Sequence, residues 1–67
     1  MKTDHLYKHK NNIDVAFSPR HIEELDIGIV CVGFWWRVGN NEMPKLLKND
    51  TITIHNDDLD QWELYEE

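Results

Sequence analysis

Cysteine is all but missing from this chain. Cys31 is the only one, so no internal disulfide exists, and the disulfide-stapled class of small secreted domains is excluded. Its apolar neighbours Val30 and Val32 mark it as a buried free thiol, which suits a reducing cytoplasm. Glycine and proline are scarce as well, at three and two residues, and no repeat, low-complexity tract or flexible linker divides the chain. Long hydrophobic runs are also lacking. The longest uncharged stretch, Ile27 to Trp36, is ten residues, against about 20 for a helix that spans a bilayer. The opening MKTDHLYKHKNN has no apolar core of the kind a signal peptide carries. A soluble, cytoplasmic protein is the expectation.

Basic residues are in short supply. Seven Lys and Arg face thirteen Asp and Glu, for a net charge of −6. Residues 1–12 carry a net +2, whereas residues 57–67 hold Asp57, Asp58, Asp60, Glu63, Glu66 and Glu67 with no base among them. This balance opposes broad attraction to nucleic acid or anionic membrane and favours a partner with a basic surface.

Catalytic and metal signatures are missing too. His5 and His9 stand four apart like a helical half-site, and His21, Cys31 and His55 are further ligand types, but structural zinc sites show two close pairs and this chain shows one. Asn56 to Asp60 is as rich in carboxylates as a calcium loop, yet it has no glycine for the bend, and Glu63 arrives too early for the last ligand. An Asx-turn is expected there. Cys31 and Ser18 have no histidine placed beside them by spacing, and apolar surroundings raise a thiol pKa. No cofactor or metal is implied, and no enzyme activity is expected from a chain with so little room for a substrate pocket.

What is present fits one domain over residues 1–67, with residues 1–11 as a loose N-terminal arm and 57–67 as an acidic C-terminal segment. A chain of 67 residues buries only about 60% of its unfolded surface, so it needs a supplement to its core. Phe17, Phe34, Trp35, Trp36 and Trp62 supply one, since aromatics bury about 150–250 Å² each. A homodimer is the other route.

Ile13, Val15 and Phe17 alternate with Asp14 and Ala16 as in a short strand. Ser18-Pro19 reads as an N-cap followed by a first-turn proline, predicting one short helix from Pro19 to Leu25. Ile27 to Val38 is β-branched and aromatic and reads as the central strand. Turns are expected at Gly39-Asn40-Asn41 and Lys48-Asn49-Asp50. Thr51 to Ile54 alternates cleanly, and Trp62 and Leu64 suggest a last strand, with a helical turn from Asp58 as its competitor. The expected fold is α+β: a small curved antiparallel sheet or an SH3-like barrel of four to five short strands with one short helix. The stretch LLKNDTITIHNDDL resembles the rhythm of many small barrels.

On a strand, Trp35 and Trp36 answer to opposite faces. Val30, Val32, Phe34, Trp36 and Val38 form an unbroken apolar set, expected to be the core. Trp35 and Arg37 then project from the other face as a contact pair, and Trp and Arg are frequent interface hot spots; the alternative is that a bulge at Gly33 shifts the register, or a dimer covers both faces, and Trp35 is core. Single-stranded nucleic acid or a peptide is an alternative ligand for Trp35, Trp36, Arg37, Lys45 and Lys48, opposed by Glu42, Asp50 and the acidic C-terminus. Carboxylates two apart on a strand lie about 6.6 Å from each other, comparable to phosphates along one nucleic-acid strand. Asp57, Asp58, Asp60 and Glu63 are therefore candidates to contact a basic groove as a nucleic-acid mimic, the alternative being a solvated acidic end.

In size and acidity the chain resembles the small acidic proteins that bacteriophages and mobile elements direct against host nucleic-acid machinery. That resemblance implies a non-enzymatic protein that binds and inhibits a larger protein or nucleoprotein in the host cytoplasm. A dimeric structural subunit is the remaining alternative.

Overall fold

The computed structural model describes residues 1–39 and 41–65. Asn40, inside the expected Gly39–Asn41 turn, and Glu66 and Glu67 of the acidic segment lie outside the described residues. The elements run β1 (Tyr7–His9), β2 (Val15–Leu25), β3 (Gly28–Arg37), β4 (Lys45–His55), the 3-10 helix η1 (Asn56–Gln61) and β5 (Trp62–Leu64). The strands pair antiparallel in one curved, open sheet of spatial order β4-β3-β2-β1-β5. A small antiparallel sheet with one short helix is thus the architecture, with the helix in a different place from the one expected.

No helix forms over Pro19–Leu25; those residues are the second half of β2. A seven-residue helix is marginal in water, and this one would have offered the core only Ile22 and Leu25. Pairing with β3 satisfies the same backbone through a regular ladder from His21↔Val32 to Leu25↔Gly28, closed by the two residues Asp26 and Ile27. Pro19 is fully buried. It sits at a bulge that leaves Arg20 without a partner on β3, one of the places where a strand tolerates a residue lacking an N–H. Beyond Phe17, β1 no longer pairs with β2, and the Pro19 carbonyl instead accepts the Asp4 N–H at 2.9 Å. Part of the segment expected as a loose arm, residues 1–11, is therefore tied to the sheet. Tyr7–His9 lie between β2 and β5, and the Tyr7 hydroxyl accepts the Lys2 N–H at 2.8 Å.

The expected Lys48-Asn49-Asp50 turn is continuous strand within β4, with irregularity absorbed at Leu47, where the register against Trp35 and Trp36 shifts. Ile13, expected to open the first strand, is 83% exposed; β2 begins two residues later. The central strand and the last strand fall where the sequence places them, and the helical turn competing for residues after Asp58 exists as well, as η1.

The buried face of the sheet is the reverse of the expected one. Phe17, Ile29, Cys31 and Ile54 form the core, with Ile22, Trp35 and Ile52 packed beside them and Leu59 and Trp62 laid across them. Of the set expected inside, Val38 is buried, but Val30, Phe34 and Trp36 are only half-buried and Val32 is 43% exposed. Both faces of β3 are apolar, so alternation alone does not choose between them. The cover is carried by η1 and β5, which land on the Cys31 side.

Gly33 lies opposite Pro19, where the two backbones approach closely. A Cβ at Gly33 would overlap the Ser18 carbonyl oxygen and stand 2.8 Å from Pro19 Cα, and neither is a flexible side-chain end. Gly33→Ala is expected to cost about 1–3 kcal/mol as an overpacking change. At about 4–8 °C per kcal/mol for a domain of this size, thermal unfolding followed by circular dichroism checks this; an unchanged midpoint would show that the close approach is not required.

Candidate interaction surface

The stretch that becomes η1, NDDLDQ, has one apolar residue, Leu59, and that side chain packs against the core. The remaining side chains are left to face outward, and the first turn holds Asp57 and Asp58, where carboxylates suit the positive end of aligned peptide dipoles. Asn56 fixes where the turn begins. Its N–H donates to the Ile27 carbonyl at 2.9 Å and its Nδ2 donates to the Asp26 carbonyl at 2.8 Å. The second bond joins residues 30 apart in sequence, and together the two hold the start of η1 against the β2–β3 hairpin tip. At the other end of η1, the Gln61 carbonyl accepts the Lys10 N–H at 2.8 Å.

The hairpin so joined is itself acidic, with Glu23, Glu24 and Asp26 exposed. Every Lys and Arg of the chain falls within residues 2–20 or 37–48, so neither residues 21–36 nor 49–67 contain one. Asp57 and Asp60 are also exposed. Carboxylates from two base-free stretches are therefore gathered at one end of the sheet, with Glu23 on the Val30 side and Glu24 on the Ile29 side. Sequence reading placed Asp57 and Asp60 there but missed Glu23, Glu24 and Asp26. The gap in Lys and Arg from residue 21 to 36 is the signal that marks them.

The other two acids expected there are placed differently. Asp58 turns toward His9, with Oδ1 3.3 Å from His9 Nε2. The Asn11 N–H donates to His9 Nδ1 at 3.1 Å, so in the neutral ring the single proton lies on Nε2 and points at Asp58. His9 also meets Trp62 edge-on at 5.3 Å between ring centroids. The His9–Asp58 pair thus braces η1 against β1. Glu63 is exposed on β5 but stands opposite Lys8 in register, so its charge has a cation for a neighbour.

Trp35 and Arg37 do not form an exposed contact pair. Trp35 is half-buried on the core face, 5.0 Å from Phe17 in a T-shaped arrangement and 6.3 Å from Trp62. Its indole Nε1–H donates to Asp50 Oδ2 at 3.0 Å. Arg37 is exposed at the rim of a shallow cleft of about 170 Å³, shared with Asp14, Glu42 and Lys45, below the usual range of about 300–1,000 Å³ for a ligand pocket. Cys31 is a buried free thiol. Burial raises its pKa, partly offset by the nearby N-terminal ammonium, and its Sγ lies 4.0 Å from Met1 Sδ. Among the described residues, no group of three or more His, Cys, Asp or Glu side chains is gathered closely enough to hold a metal ion.

No protein-family model, curated protein or solved structure matches this chain.

Asp50 gives the core face a pH dependence. The bond from Trp35, then the Thr51 N–H at 2.8 Å from Oδ1, and more weakly the charge of Lys48, hold its carboxyl below the ordinary value of 3.8. A folded-state pKa lower than the unfolded one contributes stability that is full above 3.8 and lost as the pH falls through the folded value. Asp50→Asn is expected to be less stable than wild type at neutral pH, with a difference that shrinks below pH 3.8. Urea unfolding across that range measures it, and a pH-independent difference would remove the carboxylate from the account.

Proposed function

We propose that the chain is a small non-enzymatic binding module of SH3-like barrel architecture that docks on, and inhibits, a larger protein with a basic surface. Two features of the fold support the barrel: β1 lies between β2 and β5, and a 3-10 turn links β4 to β5. The clamp made by Asn56 carries the functional reading, because it joins two acidic segments that the sequence keeps apart. Glu23, Glu24, Asp26, Asp57 and Asp60 then present negative charge from backbone that is hydrogen-bonded at both ends of η1, so little ordering is needed on binding. Such a field steers a basic partner and raises its association rate. A basic groove that otherwise holds nucleic acid has the complementary chemistry, and occupying it is how such a module inhibits.

A second reading, single-stranded nucleic acid or a peptide held by an aromatic and a cation, loses Trp35 to the core face. It keeps one supporting contact on the opposite face, where the Arg20 guanidinium lies 5.4 Å from the centre of the Phe34 ring.

Affinity capture with the tagged chain, read by mass spectrometry, is expected to return a basic protein. Neutralising Glu23, Glu24, Asp26, Asp57 and Asp60 together to their amides is expected to lower its association rate roughly tenfold or more at low salt, with the sheet intact by circular dichroism. Equal rates for the captured protein with both forms would overturn the acidic-face reading. Low-salt retention of single-stranded oligonucleotides, lost with Phe34→Ala, would favour the second one.

A further inference from the structure

The face of the sheet away from the core is open at the middle of β3, where Val32 is 43% exposed, and leaves Val30, Phe34 and Trp36 half-buried. Register and exposure place Val30, Val32, Phe34 and Trp36 in a row down its middle, and on β4 the uncharged Asn49, Thr51 and Thr53 flank that row. On β2 the face carries two formal charges of opposite sign: Arg20, over Phe34, and Glu23, opposite Val30. An apolar centre with charge confined to one margin is the anatomy of a protein interface.

We propose that this face is the interface of a homodimer, occupied by a second copy of the same chain. The dimer is isologous, its two-fold axis crossing the strands near His21 and Ile22. That rotation lays β2 antiparallel over β2 of the second copy and exchanges position 20 with position 23. Arg20 of each copy then meets Glu23 of the other, so the two formal charges that β2 carries on this face are paired twice, beside the existing contact of Arg20 with Asp4. Val30 and Val32 lie near the axis, where no charge opposes their burial. The same rotation carries Leu25 and Ile27 at the hairpin tip, 45% and 58% exposed, toward the Phe34 and Trp36 end of the second copy. Arg20 is already held over the face by the Phe34 ring, with Asp4 Oδ1 at 3.6 Å from its Nη1.

Area and stability agree with this occupant. Three strands about 4.8 Å apart and ten residues long at about 3.3 Å each give a footprint of roughly 480 Å² per copy before side-chain relief is added. A biological interface clears about 500 Å² per partner and a standard one buries about 800 Å², and the relief of the Phe34, Trp36, Leu25 and Ile27 side chains supplies the difference. Among the described residues the buried hydrophobic core is Ala16, Phe17, Ile29, Cys31, Val38 and Ile54, a small core for a chain of 67 residues, and the second copy extends it without adding to the sequence.

Sedimentation equilibrium of the full chain is expected to give twice the 8.0 kDa monomer mass. Val32→Glu, whose side chain is 43% exposed in the monomer and thus compatible with folding, is expected to yield a monomer with an unchanged far-ultraviolet spectrum. Arg20→Glu and Glu23→Arg are each expected to weaken the dimer by about tenfold or more, and the double exchange to restore most of it. That recovery separates the intermolecular pair from the loss of the Asp4 contact. A wild-type monomer at every accessible concentration, a dimer indifferent to Val32→Glu, or no recovery in the double exchange overturns the proposal. So does a monomer that retains a single-stranded oligonucleotide on this face. Glu23 belongs to both surfaces, so a variant neutralised at Glu24, Asp26, Asp57 and Asp60 alone is expected to remain dimeric.

Discussion

β3 lies between β2 and β4 for its whole length and is apolar on both sides, so the chain must decide which side to cover. It has little to cover with: a six-residue 3-10 helix, two three-residue strands and the segment before β1. Leu59 of the helix, Trp62 of β5 and Met1 go to the Cys31 face, and the placement of nearly every other side chain depends on that commitment. Trp62 and Leu59 complete the core from across the sheet. Trp35 becomes a structural residue, with its indole N–H bound to a carboxylate, and Trp36 is left half-buried on the other side. The close approach of Gly33 to the Ser18–Pro19 backbone lies beside the bulge at Arg20, where β2 changes register against β3.

How much of this was legible in the sequence depends on whether a signal was local. Gly28–Arg37 could be read because a run of β-branched and aromatic residues has few other uses, and Trp62–Leu64 because it alternates. Pro19–Leu25 misled because Ser-Pro followed by two glutamates is a good local helix start, while the reason for a strand there, the pairing with β3 across the Asp26-Ile27 turn, does not show in the segment's own residues. Lys48-Asn49-Asp50 misled in the same way. Asp50 is a strand breaker only while its carboxylate competes for nearby backbone, and here it is engaged by Trp35 and by Thr51 N–H. The choice of face was not legible at all, since nothing in residues 27–38 says where residues 56–64 will land.

The candidate surface divides along the same line. The run of acids after His55 is plain to see in the sequence, but its division of labour is not. Asp58 serves as a brace for His9, Glu63 stands beside Lys8, and Asp57 and Asp60 join Glu23, Glu24 and Asp26, whose contribution depends on Asn56 reaching the hairpin tip. An acidic segment that looks like a solvated tail is thus anchored at both ends of its helical turn, and its charge has a defined position relative to the sheet.

The pairing of β1 with β5 also fixes the order in which the molecule can assemble. The β2–β3–β4 meander uses neighbours in sequence and can form early, whereas Tyr7↔Leu64 joins residues from opposite ends of the described chain. Closing so long a loop costs entropy before its contacts repay it, and Trp62 and Leu59 reach the core only when that closure occurs. Until then the meander is a three-stranded ribbon with apolar residues on both faces and no lid on either. On a ribosome, such a chain has its stickiest surface exposed through most of its synthesis and hides it only after Leu64 has emerged.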